Sequence, residues 1–104
     1  MMPRASLYLA ALCLAALAAP AFAATTVVVQ KGRAFRPSEI SIARGDTVTF
    51  TNDDNYIHQV YVEGLFDSTE KAPGENLNET FPQAGTFQVR CHIHPTMKLT
   101  VRVR

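Results

Sequence analysis

The stretch TFQVRCHIHPTMKLTVRVR, Thr86–Arg104, decides the architecture of this chain. Side chains alternate between the two faces of a β-strand. Before the first imidazole, Phe87, Val89 and Cys91 share one face, while Gln88, Arg90 and His92 share the other. After the proline, Leu99, Val101 and Val103 share a face that Met97 extends, opposite Lys98, Thr100, Arg102 and Arg104. A period of two on both sides of CHIHPTM predicts two half-buried strands, Thr86–Cys91 and Lys98–Arg104. His94 falls in the turn between them, and Pro95, lacking an N–H, favours leaving the ladder there. Cys91 and Met97 therefore point into a core, and His92 points out.

The same period recurs upstream. Thr25–Gln30 is β-branched and apolar, Glu39–Ile42 alternates on Ile40 and Ile42, and Thr47–Thr51 puts Val48 and Phe50 opposite three threonines. Arg44-Gly45-Asp46 and Asn52–Asn55 read as turns. Tyr56–Val62 reads as a further strand, with His58, Val60 and Val62 on one face. Glu63–Asn78, punctuated by Gly64, Pro73 and Gly74, reads as irregular, and Phe81–Gly85 as a strand end and turn. Short strands at this spacing predict an all-β sandwich of about seven strands. Three inward faces then carry a metal-capable residue at or near a strand end: His58, Cys91 and Met97.

The N-terminus is of a different kind. Residues 1–23 hold one charge, Arg4, an apolar run from about Leu7 to Ala19, and the small-x-small triplet Ala21-Phe22-Ala23. This is the pattern of a secretory signal peptide cleaved after Ala23. The run is too short to span a bilayer, and Leu12 before Cys13 is unlike a lipidation signal. The expectation is a periplasmic domain of residues 24–104, with no stable membrane insertion after cleavage. Losing Arg4 takes the net charge of +1 to about zero, which argues against nucleic acid or an anionic membrane as the main partner.

The leader also removes Cys13, leaving Cys91 alone. A small exported domain without an internal disulfide lacks its usual staple, and an unpaired thiol is vulnerable in an oxidising compartment. A bound metal would protect that thiol and stabilise the fold by binding the native state. Cys91, His94 and Met97 form C-x2-H-x2-M, with His58 one strand-rich segment upstream. One thiolate, two imidazoles and a weak axial thioether make up the ligand set of a blue-copper electron-transfer site.

Two segments, PSEISIARGDTVTFTNDDNYIHQV (Pro37–Val60) and CHIHPTMKLTVRV (Cys91–Val103), resemble a small cupredoxin of the plastocyanin/amicyanin kind. The resemblance spans nearly all of residues 24–104. It implies a Greek-key β-sandwich and one type 1 copper ion per chain. It implies His58, Cys91 and His94 as equatorial ligands and Met97 as the axial ligand. It implies a monomeric electron carrier rather than an enzyme, with redox partner proteins docking transiently near His94. The His94 edge would sit in an apolar patch to which Pro37, Ile57 and Pro95 contribute. Two positions depart from the family pattern. Gln59 stands where Asn often ties the two ligand loops together, and His92 stands where Ser or Thr often follows the cysteine.

Other readings compete. A module for copper delivery or scavenging would use the outward His92 to capture or hand over the ion. A zinc site with His92 needs two adjacent strand residues to face one metal, which alternation opposes. A Cys91/His94 nucleophilic enzyme needs a cleft that so small a domain scarcely offers. His92 by itself reads as a solvated surface residue, Asp53 and Asp54 as solvated acids of a polar turn, and Tyr56 and Tyr61 as strand packing. The basic residues Arg102 and Arg104 read as an outward face.

Overall fold

A computed structural model describes residues 22–104. Residues 1–21, which hold most of the expected leader, lie outside the described residues. The rest is an all-β sandwich. In chain order the strands are β1 (Thr25–Gln30), β2 (Phe35–Arg36), β3 (Glu39–Ile42), β4 (Thr47–Asn52), β5 (Tyr61–Val62), β6 (Phe66–Asp67), β7 (Asn76–Thr80), β8 (Gly85–Arg90) and β9 (Lys98–Val103). One sheet runs β2-β1-β4-β7 and the other β3-β9-β8-β5-β6. Both are mixed: β1 lies parallel to β4 and β3 parallel to β9, while the remaining pairs are antiparallel.

The alternation read from the sequence is the alternation of burial. Val48, Phe50 and Asn52 of β4 are buried between half-buried threonines. Leu99, Val101 and Val103 of β9 are buried and Met97 continues their row. Across β8 and β9, Val89 faces Leu99 and Phe87 faces Val101, so the inner side chains pack in layers. Phe81 is fully buried between Phe66 and Phe87, at ring-centroid distances of 6.0 and 5.7 Å. Burying one such ring contributes about 1.5–3 kcal/mol. At the end of β4 remote from Asn52, Gly45 adopts a φ of 85°, a left-handed conformation that favours glycine. Asp46 then accepts the amides of Ala24 and Ala43, at 2.9 Å each, and pins the residue before β1 to this turn.

Three expectations change. Tyr56–Val62 is not one strand: only Tyr61–Val62 joins the ladder, and His58 makes an isolated antiparallel bridge to Lys71. The intervening backbone is held outside any ladder, for Val60 N–H bonds the Ser68 hydroxyl at 2.9 Å and Val60 C=O accepts Ser68 N–H at 2.8 Å. The segment read as irregular contains β6 and most of β7. In β7, Asn76–Thr80, the pairing with β4 is supported by polar contacts on an open face, such as Thr49 to Asn78 at 2.7 Å. A strand with so little apolar alternation leaves a faint signal. β2, a two-residue strand that pairs with the end of β1, is one of the short strands that bring the total to nine among the described residues, where about seven were expected.

Candidate metal centre

The loops that follow β4 and β8 meet at one end of the sandwich. The inner row of β8 delivers Cys91 into the core, 1% exposed and as a free thiol. The chain then turns through His92–Thr96 and re-enters at Met97, where Met97 N–H bonds His94 C=O at 3.0 Å. Met97 is 1% exposed on the same inner row. From the other side, the paired backbone bonds between His58 and Lys71, at 3.0 and 2.8 Å, hold His58 fully buried. His58, Cys91 and His94 bring one ligand atom each to within 4.8 Å of one another. The two Nδ1 atoms of His58 and His94 face each other at 3.1 Å.

This donor set fits a copper ion. Two imidazole nitrogens and one thiol sulfur converge on two loops, one crossing from β4 of the first sheet to β5 of the second and the other joining β8 to β9 within the second. Thiolate suits Cu(I) and imidazole suits both common oxidation states. His94 is half-buried, and burial is the main cause of its lowered pKa. The nearby His58 and Arg33 lower it further, and Asp54 opposes them. A neutral ring at neutral pH leaves a nitrogen lone pair free to bind metal.

The residues around these four are what sequence reading misses. Asp54 is not solvated. It is buried, and its Oδ2 lies 2.9 Å from His58 Nε2. Burial alone would raise the Asp54 carboxyl, but the Arg33 amide, the His58 ring and the Gly32 amide together hold it down at about 2. The ionised carboxylate accepts the Nε2 proton of His58, which fixes the tautomer and turns the Nδ1 lone pair toward His94. Asn52 is fully buried and binds three backbone groups: it donates to Tyr56 C=O at 2.8 Å and Lys71 C=O at 2.9 Å, and accepts Asp54 N–H at 3.0 Å. It therefore braces both strips that flank His58. One signal for it was available, since Asn52 shares the inner face of β4 with Val48 and Phe50.

The Gln59 departure has a structural answer. Gln59 backbone N–H donates to Cys91 Sγ at 3.3 Å, so the main chain ties the two loops together whatever side chain stands there. His92 points outward as expected, but it is not free in solvent. Its ring stacks on Tyr61 at 3.7 Å and 5° between planes, and its Nε2 lies 3.1 Å from Asp67 Oδ2. Tyr56 is not strand packing: it is 44% exposed, its ring lies edge-on to His94 at 6.0 Å, and Arg33 covers it.

The family model for the cupredoxin-like domain matches residues 4–103. Plastocyanin of Scenedesmus fuscus is 31% identical over 88 residues, covering 67% of this chain and 86% of that protein. Chloroplastic plastocyanin of Fritillaria agrestis is 33% identical over 79 residues, covering 59% of this chain and 45% of that protein. The chain thus spans less than half the length of that chloroplast relative. Among solved structures, a reduced variant of amicyanin superposes with a TM-score of 0.73 at 27% identity, covering 86% of this chain and 89% of that one. A copper-containing nitrite reductase from Thermus scotoductus superposes at 0.69 and 29% identity, over 84% of this chain but 23% of the reductase. With the family model spanning nearly its whole length, and the His-Cys-His cluster where the two loops converge, the chain belongs to the cupredoxin-like family.

Proposed function

We propose that this protein is an exported single-electron carrier with one type 1 copper ion, held by His58, Cys91 and His94 with Met97 as the axial ligand. The observation that carries the reading is the convergence of the His58, Cys91 and His94 ligand atoms within 4.8 Å in a buried pocket of side chains. A copper ion bound there supplies a one-electron Cu(I)/Cu(II) couple. The chain's own part is to keep the ligands still. Asp54 orients His58, Gln59 N–H supports the Cys91 sulfur, and the β8 and β9 ladders fix both ends of the loop. Little then has to rearrange when the charge of the site changes.

Redox partners dock transiently where His94 approaches the surface. Tyr56, Ile57 and Ile93 support this, being 44, 46 and 42% exposed and adjacent in sequence to the site. Export to the periplasm follows from the leader pattern of residues 1–23, leaving residues 24–104 as the working domain, a monomer in transient encounters. Copper delivery is the weaker reading, because the imidazole that favoured it, His92, is already engaged by Tyr61 and Asp67. The visible spectrum after adding Cu(II) to residues 24–104 tests the proposal. An intense thiolate-to-copper band with reversible one-electron cycling is expected. Oxidation of Cys91 without that band would overturn it.

A further inference from the structure

The β1–β2 hairpin, Lys31-Gly32-Arg33-Ala34, stands beside the site and carries a charge that the electron-carrier reading does not use. Lys31, Arg33 and Arg36 are all exposed. Among the described residues none of the three is within ion-pair distance of a carboxylate. The exposed Asp53, whose amide bonds Gln30 C=O at the foot of the hairpin, and the buried, ionised Asp54 beneath it offset two of these three charges at most, so the hairpin stays net cationic. Of the remaining exposed acids of this end, Asp67 is engaged by His92 at 3.1 Å, while Glu70 and Glu75 lie on the segment that approaches His58 through Lys71, and Glu75 is tied to Ala72 N–H at 2.7 Å.

The hairpin is also fixed relative to the metal centre. Asp54 accepts Gly32 N–H at 2.9 Å and Arg33 N–H at 2.8 Å with the same carboxylate that holds His58. Arg33 takes a φ of 54°, unusual for a residue with a side chain, and its guanidinium carbon lies 4.2 Å from the centroid of the Tyr56 ring. Tyr56 in turn lies edge-on to His94. The side chain of Arg33 is thus placed over the apolar patch. A cation over an aromatic face is attracted to the ring quadrupole and stays near it.

We infer that the Lys31–Arg36 hairpin is a cationic docking collar for a redox protein whose contact face carries carboxylates around its own electron-exchange group. The inference rests on the electron-carrier reading and adds the class of partner. Opposed charges at the rim of an apolar patch speed encounter and fix orientation, with less effect on the lifetime of the complex. That combination suits a carrier, which must bind fast and leave fast. The overall charge of the chain is close to neutral, so the steering has to come from this local asymmetry.

The copper-loaded protein in its Cu(I) form tests this with two probes that share one redox centre: a basic c-type cytochrome, and the same cytochrome with its lysines succinylated. One electron leaves the copper protein and reduces haem iron from Fe(III) to Fe(II). Transfer to the succinylated probe should slow as salt rises from about 10 to about 300 mM, where screening shortens the reach of charge. Transfer to the basic probe should stay flat or quicken. Replacing the three cations, K31Q/R33Q/R36Q, should lower the low-salt rate with the succinylated probe by roughly 3- to 30-fold and flatten its salt dependence. NMR shifts induced by that probe should map to Lys31–Arg36 and Tyr56. A salt dependence unchanged in the triple variant, or preference for the basic probe, overturns the collar while leaving the carrier reading intact. Absence of the visible band in the Cu(II) form, recorded before the protein is reduced, overturns both.

Discussion

The two loops that bring the candidate ligands together are built on different principles. The Cys91–Met97 loop is a short connection between two regular strands, and the inner rows of β8 and β9 aim both of its sulfur side chains. The His58 loop has almost no strand of its own. His58 sits in an isolated bridge, and buried polar side chains, Asn52 and Asp54, hold its backbone and its ring. One half of the site is placed by periodic packing and the other by specific hydrogen bonds. Periodic packing is spread over many residues and is readable from pattern. A hydrogen-bond brace concentrates the work in one or two residues, so each of them matters more.

That contrast can be broken at either half. Cys91→Ser should abolish the intense visible band of the copper-loaded protein completely, because an alcohol does not replace the thiolate. Retention of any such band would show that the sulfur is not part of the centre. On the polar side, Asn52→Ala leaves Tyr56 C=O and Asp54 N–H without their partner and takes one of two donors from Lys71 C=O. Unsatisfied buried groups cost about 1–3 kcal/mol each, so a loss of about 2–4 kcal/mol is expected in denaturant unfolding after partial rescue by water. A loss under about 0.5 kcal/mol, the scale of ordinary surface substitutions, would mean that the loop does not depend on this brace.

Asp54→Asn sharpens the comparison by leaving one oxygen where three donors need acceptors. Copper affinity, measured by competition with a chelator, should fall about 10- to 100-fold, the usual effect of removing the partner of a ligand imidazole. Unchanged affinity would show that His58 is held by its backbone bridge alone.

Asp46 provides the same device at the other end of β4, remote from the metal centre. Its carboxyl lies below the ordinary 3.8 because the Ala24 and Ala43 amides bond it, against burial, with help from Arg104. A carboxylate with a lowered folded-state pKa stabilises the fold above the ordinary value and loses that contribution as pH falls through the lowered one. Acid unfolding should therefore steepen below about pH 4, and Asp46→Asn should remove that part of the slope with no change in the visible band. An unaltered acid limb in the variant would locate the acid sensitivity elsewhere.

The smallest effect is expected at His92. His92→Ala removes a ring stacked on Tyr61 outside the sandwich, so the visible band should keep its position and most of its intensity. Loss of the band would place the His92 ring at the metal after all.

The sequence by itself determined the fold class, the inner rows of β4, β8 and β9, and the four candidate ligands His58, Cys91, His94 and Met97. It could do so because burial on a strand has a period of two and because metal-ligating residue types are few. It also separated His92 from Cys91 by phase alone. Only the tertiary structure decided that Tyr56–Val62 is mostly loop, that Asp54 is buried against His58, and that Gln59 serves the sulfur through its backbone. These depend on contacts between segments far apart in the chain, such as Asn52 with Lys71 and Gly32 with Asp54. A polar residue in a turn reads as solvated unless its distant partners are known. Local pattern cannot supply partners, because a hydrogen bond is specified by position in space and not by spacing in sequence.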